Sequence, residues 1–280
     1  MDPERARAQS QALWSSLAPG WDRHRRRMWD TTHSVTEWLI AQAAPRPGDT
    51  ILELGCGPGD TAPLLSEAAG ETGRVIETDF SPEMVAIAER FVADRSLTNA
   101  ECRVMDAERM DLADESVDVV LCRWAYMLML DPQRALRETR RVLRDGGRLA
   151  YSVWGAPDEN PWVLLPAMTI RKLGHQLPGD AFGPGGIFSM ADVDKVRDMT
   201  SQAGFEQVTI EKATVKWRSS SFEDDWGFMV DVAGPIATLV RQLPPDAIET
   251  YKEALRKEME PFRSGPGYEM PGTTLNVIAS

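Results

Sequence analysis

The chain has 280 residues, 42% of them hydrophobic and 26% charged, enough to bury a sizeable core as one large domain or as a core with an elaborated lid. Its net charge of −12 and pI near 4.8 argue against a nucleic-acid partner, since binding a polyanion needs clustered cations to displace counterions. No apolar run approaches the roughly 18 residues of a membrane span, and the charged start Met1-Asp-Pro-Glu-Arg5 carries no apolar signal region, so no membrane span and a cytoplasmic location are expected.

Residues 1–44 read as an N-terminal helical cap, with Trp14, Trp21, Trp29 and Trp38 among Arg, Gln and Ala and a break at Ala18-Pro-Gly20. The basic run Arg23-His-Arg-Arg-Arg27 reads as the solvated face of that helical segment rather than as an anion site. Pro45-Arg-Pro-Gly-Asp49 turns the chain into a strand at 50–54, which breaks into Gly55, Gly57 and Gly59 at alternate positions. Such glycines let the backbone turn tightly out of a strand and approach a ligand where any Cβ would collide. Asp60 and Thr61 can cap a helix over 60–69, stopped by Gly70. A strand at 74–79 follows, then a helix from Pro82 to about Ala93 with Ser81 as N-cap and Glu83 in the first turn, where the helix dipole favours an acid.

Strands at 101–105 and 117–123 come next, then a helix after Asp131-Pro132 that places Ala135, Leu136, Thr139, Val142 and Leu143 on one stripe. Asp145-Gly-Gly147 turns into a strand at 148–153. Alternation at this period predicts a parallel α/β sheet, doubly wound with helices on both faces, whose ligands sit outside the carboxyl ends of the strands. Beyond residue 154 a helix at 191–203, a strand at 205–217 and a final strand at 273–279 are legible. The Pro/Gly-rich stretch 156–190 and the stretch 219–270, with helices expected at 222–242 and 245–262, read as insertions forming a helical lid on a core over 45–280.

Five segments resemble, in order, the motifs of the class I S-adenosylmethionine-dependent methyltransferases: Glu53-Leu-Gly-Cys-Gly-Pro-Gly59, Val75–Pro82, Val104–Ala107, Ser116–Leu121 and Arg141–Leu149. Within that class, residues 45–155 are similar to the ubiquinone/menaquinone C-methyltransferase-like small-molecule branch. The resemblance implies a Rossmann-like, mostly parallel seven-stranded sheet with an antiparallel last strand, and S-adenosyl-L-methionine as cofactor. Gly55, Gly57 and Gly59 would meet its methionine end, and Glu53 would orient the loop or reach a water near the amino group. Asp79, at the strand tip, matches an acid accepting from ribose hydroxyls, with Glu77 as the alternative. Phe80 and Met84 could sandwich the adenine, while Asp106 and the Ala107 amide could pair with its edge. Arg123 could pair with the cofactor carboxylate or with an acidic acceptor.

Trp124, Tyr126 and Trp154, with Trp21 from the N-terminal segment, could wall a chamber for a small, flat, largely apolar acceptor. His33 is the histidine best placed to serve as a base. Oxygen is preferred over carbon, nitrogen or sulfur as the methylated atom, through in-line displacement. No acidic cluster follows the fourth strand, so no metal is expected. Cys56, Cys102 and Cys122 are too scattered for a disulfide framework or zinc site, and too few for arsenic methylation. A dinucleotide-dependent oxidoreductase is disfavoured by the G-x-G-x-G spacing, whereas a non-catalytic cofactor-binding protein stays open.

Overall fold

The computed structural model describes residues 3–280, so Met1 and Asp2 of the expected cap lie outside the described residues. Two helices open the chain, α1 (Pro3–Arg23) and α2 (Arg25–Ala43). The alternating core follows as β1 (Thr50–Leu54), α3 (Ala62–Ala69), β2 (Arg74–Asp79), α4 (Pro82–Asp94), β3 (Ala100–Val104), β4 (Val117–Arg123), α5 (Pro132–Val142) and β5 (Leu143–Trp154). Then come α6 (Pro161–Lys172), α7 (Val193–Gln202), β6 (Val208–Ser219), α8 (Phe222–Val232), α9 (Gly234–Val240), α10 (Pro245–Met259), β7 (Arg263–Ser264) and β8 (Gly267–Ala279).

The strands form one sheet in the order β3-β2-β1-β4-β5-β8-β6, with the two-residue β7 added beside β8. The first five strands in that order are parallel, and β8 runs antiparallel to both β5 and β6. The chain order reverses between β1 and β4, the switch point outside which ligands bind in doubly wound sheets. The fold is therefore the expected α/β, doubly wound sheet, with β7 as an eighth strand.

Local chemistry explains the core helices. The Ser81 hydroxyl accepts from the Met84 amide at 3.2 Å to start α4, and the Asp131 carboxylate accepts from the Arg134 amide at 2.9 Å to start α5. The α5 stripe Ala135, Leu136, Thr139 and Val142 is buried on the sheet. In α2 the buried face is Val35, Thr36, Leu39 and Ala43, which lies over β4, β5, β8 and β6 and joins the main core. By contrast α1 runs along α4 and α8.

Several boundaries differ from the sequence expectation. The helix α1 continues through Ala18-Pro-Gly20 with Pro19 inside it, and the break falls at His24. Asp60 and Thr61 do not cap α3 by side-chain hydrogen bonds, because the Asp60 carboxylate accepts from Arg25 at 2.5 Å. The stretch 156–190 contains α6, whose Pro161 is at the tolerated first position and whose Pro166 interrupts the pattern that would have revealed it. The helix expected over 222–242 divides at Ala233-Gly234-Pro235 into α8 and α9. The last strand begins at Gly267, six residues earlier than expected, because it pairs along the whole of β6. Cys56 and Cys122 are buried, and Cys102 is half-exposed.

Among the described residues, no helix is long and apolar enough to cross a membrane. Nor, among them, is any group of three or more His, Cys, Asp or Glu side chains placed to hold a metal ion.

Candidate active site

The turn after β1 holds Gly55, Gly57 and Gly59 at φ of 67°, 55° and 82°. All three conformations favour glycine, but their surroundings differ. A Cβ on Gly55 would overlap the Ala125 side chain, and one on Gly59 would lie 2.9 Å from the Ala88 Cβ. A Cβ on Gly57 would meet nothing within 4 Å. Gly57 is thus the glycine of the turn that faces open space, and its backbone is the surface against which a ligand can lie.

The tip of β2 is tied to that turn. Asp79 accepts from the Gly57 amide at 3.0 Å through Oδ2 and from the Ser81 amide at 2.8 Å through Oδ1. Burial pushes its carboxyl upward, and the amides of Ser81, Gly57 and Phe80 oppose the shift. Each carboxylate oxygen can accept a further hydrogen bond. At the neighbouring tip, after β3, Asp106 Oδ1 accepts from the Glu108 amide at 2.9 Å, and Arg7 of α1 lies 3.5 Å from Oδ2. The same Arg7 pairs with the buried Glu108 at 2.5 Å. Gln11 donates to the Phe80 carbonyl at 2.8 Å, and the Ser15 and Ser81 hydroxyls are 3.0 Å apart. Met84 is buried with Ala18 and Ile87 against Trp21. Ala107 is also buried. The helix α1 therefore docks over the β2 and β3 tips, and Trp21 stands beside Met84 rather than in the tryptophan cluster.

Beneath the glycine turn lies a buried polar layer. Strand register sets Glu53 beside Glu77 on neighbouring parallel strands, with Cys102 on the far side of Glu77 and Leu121 on the far side of Glu53. Glu53 is 2% exposed and Glu77 is fully buried. Apart from the two carboxyls themselves, no group among the described residues is bonded to Glu53 Oε2 or to either Glu77 oxygen. Burial raises both carboxyls, Glu77 further because it also meets the charge of Glu53, while Arg123 acts in the opposite direction on each. Arg123 itself donates to the Thr32 and Thr36 hydroxyls of α2, both at 2.9 Å. Those bonds clamp α2 to the β4 tip, a role its sequence position did not reveal.

The tips of β4 and β5 carry the expected tryptophans. Trp124 sits at a φ of 53°, a strained conformation for a bulky residue, and stacks on Trp154 with centroids 4.6 Å apart and planes 9° apart. Its indole donates to the Thr274 hydroxyl at 3.1 Å. Trp154 continues edge-on to Trp162, and Trp162 packs at a 32° tilt on Trp217, whose ring lies 5.6 Å from Phe228. Tyr126, expected beside them, is instead fully buried, with its hydroxyl 2.6 Å from the Thr139 hydroxyl and its ring edge-on to Tyr151, so it fastens α5 to the sheet.

The histidines part company. The partners of His33 are the Trp29 carbonyl at 3.1 Å and the Trp29 ring, both within α2. His24, between α1 and α2, has its Nε2 held 2.9 Å from Asp231 and its ring edge-on to Phe228. It lines a groove of about 520 Å³ with Arg27, Thr31, Lys216 and Asp224 among others. Sequence reasoning missed Asp231 and Arg7 as partners of this site, since both meet their partners across long stretches of chain. Trp162 and Trp217 carried a signal, being large aromatics on elements leaving the sheet edge.

A family model described as a methyltransferase domain matches residues 52–151. Over 188 residues the chain is 36% identical to an arsenite methyltransferase of Halobacterium salinarum, a match covering 66% of this chain and 44% of that one. It thus spans under half of that relative's length. Over 178 residues it is 31% identical to a ubiquinone/menaquinone biosynthesis C-methyltransferase of Ralstonia nicotianae, covering 61% of this chain and 73% of the relative. Among solved structures, the YcgJ protein of Bacillus subtilis superposes with a TM-score of 0.56 at 21% identity, over 88% of this chain and 97% of that one. At that identity the likeness speaks for the fold alone.

Proposed function

The chain belongs to the class I S-adenosylmethionine-dependent methyltransferases, and from that membership we propose that it methylates a small, flat, largely apolar acceptor beside a wall of tryptophans. The observation that carries the cofactor placement is the glycine turn, because its one open position, Gly57, is hydrogen-bonded to Asp79 at the next strand tip. S-adenosylmethionine supplies an electrophilic methyl group on a sulfonium. Gly57 would present backbone to its methionine end, while Asp79, already fixed by two amides, keeps lone pairs for ribose hydroxyls. Phe80 would flank the base, with Asp106 and the Ala107 amide at its edge, whereas the expected Met84 is buried against Trp21 and packs α4 on α1. Because the carboxylates are held by backbone before any ligand arrives, little ordering remains to oppose binding.

The protein's part in transfer is alignment and exclusion of water, as suits an in-line displacement. Trp154 is buried and braces the half-buried Trp124 stacked on it, which leaves Trp124 as the ring an acceptor would meet, and α1 and α2 cover the strand tips. The lid is α1 and α6 with α8–α10, while α2 packs on the sheet as part of the core. Carbon is now the better acceptor atom, supported by the likeness to a C-methyltransferase and by His33 having its partners inside its own helix. An arsenite acceptor is disfavoured by the cysteines, since burial pushes the Cys56 thiol well up and the half-exposed Cys102 up to about 11. The test is calorimetry with S-adenosylhomocysteine and NAD, followed by release of S-adenosylhomocysteine across an acceptor library. Affinity for NAD without affinity for S-adenosylhomocysteine would overturn the proposal. Binding without turnover on any acceptor would favour a non-catalytic role.

A further inference from the structure

We propose that Glu53 and Glu77 act as one unit that carries a single negative charge beneath the glycine turn, with Glu77 holding the shared proton and Glu53 presenting the charge to a cationic cofactor. The inference rests on the methyltransferase reading and adds to it a residue, Glu77, that sets which form of the cofactor is preferred.

The geometry begins with register. Glu53 and Glu77 are direct partners on parallel neighbours β1 and β2, so both side chains rise from the same face of the sheet. Both are almost completely buried, and apart from each other three of their four carboxyl oxygens have no hydrogen-bond partner among the described residues. Two ionised carboxylates cannot persist side by side in such a place, because they have few hydrogen bonds and share one countercharge, Arg123, against the cost of desolvation. A proton held between them removes the repulsion and gives Glu77 a hydrogen-bond partner, while the Thr61 hydroxyl also favours the charged form of Glu53.

The surroundings decide where the proton stays. Arg123 favours the charged form of both, but at Glu53 it is the strongest nearby charge and the Thr61 hydroxyl adds to it, whereas at Glu77 the charge of Glu53 and Cys102 outweigh it. Glu77 faces Cys102 on β3 and the Cys56 thiol of the turn, neither of which supplies positive charge. Glu77 is therefore the protonated member and donates to Glu53. Of the groups around the turn, Glu53, Glu77, Asp60 and Asp79 are acidic and Arg25 and Arg123 are basic. With one proton shared, this set is left with one net negative charge.

That charge matches one ligand better than its product. S-adenosylmethionine carries a sulfonium, an ammonium and a carboxylate, hence one net positive charge, whereas S-adenosylhomocysteine has lost the sulfonium charge and is neutral overall. A single buried negative charge favours the substrate form, and after transfer its attraction falls away, which eases product release. Were both carboxyls ionised, the apo site would be strained. Were neither, the discrimination would vanish.

The test compares dissociation constants for both ligands by calorimetry at pH 7, in wild-type protein and in Glu53→Gln, Glu77→Leu and Glu77→Gln, each checked for folding by circular dichroism. The ratio of the S-adenosylhomocysteine constant to the S-adenosylmethionine constant should fall by about tenfold in Glu53→Gln, the scale of one charge-assisted contact. Glu77→Leu should lower it similarly, since Glu53 then keeps a proton itself. Glu77→Gln should restore the wild-type ratio, because its amide donates to Glu53 as the protonated carboxyl does. An equal fall in Glu77→Gln and Glu53→Gln would mean that both carboxyls are ionised and would overturn the proposal. An unchanged ratio in Glu77→Leu would remove Glu77 from the unit. If wild-type protein binds neither ligand, it is the methyltransferase reading that fails.

Discussion

Substituting the three glycines of the β1 turn one at a time separates the backbone's need for glycine from the ligand's. At Gly57 an alanine has free space, so its cost is the left-handed φ of 55°, about 1–2 kcal/mol. For a domain of this size each kcal/mol lowers the melting temperature by about 2–4 °C, so Gly57→Ala should melt only about 2–8 °C below wild type. At Gly59 the same backbone strain applies, and the new Cβ would also stand 2.9 Å from the Ala88 Cβ, well inside contact distance. Such overpacking adds about 1–3 kcal/mol, and at Gly55 the overlap with Ala125 is worse. Stability should therefore fall in the order Gly57→Ala, Gly59→Ala, Gly55→Ala. Affinity should not follow that order. The Cβ on Gly57 enters the space assigned to the cofactor, so the mildest variant for folding should lose at least about tenfold in S-adenosylhomocysteine affinity, roughly 1.4 kcal/mol. Calorimetry beside differential scanning fluorimetry reads both quantities. A Gly57→Ala protein that melts as expected and binds with wild-type affinity would refute the placement of the cofactor on this turn.

Asp79→Ala should weaken S-adenosylhomocysteine binding by about tenfold to a thousandfold, the scale of one or two hydrogen bonds to a charged acceptor, and Asp106→Ala should weaken it less; a larger loss at Asp106 would reverse the ranking of the two tips. His33→Ala, assayed at saturating cofactor from pH 6 to 10, should keep full activity at every pH, since its partners belong to α2, whereas a loss rescued at high pH would restore it as the base. The raised carboxyl of Glu77 stabilises the fold fully below the ordinary glutamate value of about 4.3 and loses that contribution as pH climbs through the folded value. Melting curves from pH 5 to 9 should thus fall less steeply for Glu77→Gln than for wild type, and parallel curves would mean that Glu77 does not titrate with folding. Hydrogen exchange in residues 3–23, 156–190 and 219–270 should slow when cofactor and acceptor are both present, and equal protection without them would argue for a rigid pocket.

What the sequence made legible is what local chemistry dictates. Ser81-Pro82 and Asp131-Pro132 announce α4 and α5 because capping acts over three residues, and the tips of β1 to β5 follow from strand periodicity. The features it concealed depend on contacts between distant segments. Arg123 was read as a partner for a carboxylate, and its hydrogen bonds from one guanidinium nitrogen to two threonines about ninety residues earlier were not legible. Tyr126 has the position of a chamber residue, and only the packing of α5 turns it inward onto Thr139. Glu77 was visible as an alternative to Asp79, and alternation correctly placed both on one side, but its pairing with Glu53 is a property of strand register, which no single strand encodes.

The docking of α1 ties the cover of the site to the strand tips themselves. Its three polar anchors, Arg7, Gln11 and Ser15, fall at spacings of four residues and so lie along one face of the helix. All three meet groups at the β2 and β3 tips, where the adenosine end of the cofactor is proposed to sit. Arg7 lies beside the one Asp106 oxygen not already engaged by the Glu108 amide, so an adenine amino group seeking that oxygen must share it with a guanidinium. Sharing is electrostatically tolerable because Glu108, buried and 2.5 Å from the same guanidinium, keeps Arg7 in place by itself. Asp106 can then turn to a ligand without releasing the helix. On this arrangement the nucleoside site and the seat of its cover use neighbouring carboxylates with separate duties: Glu108 holds α1, and Asp106 is left to read the base.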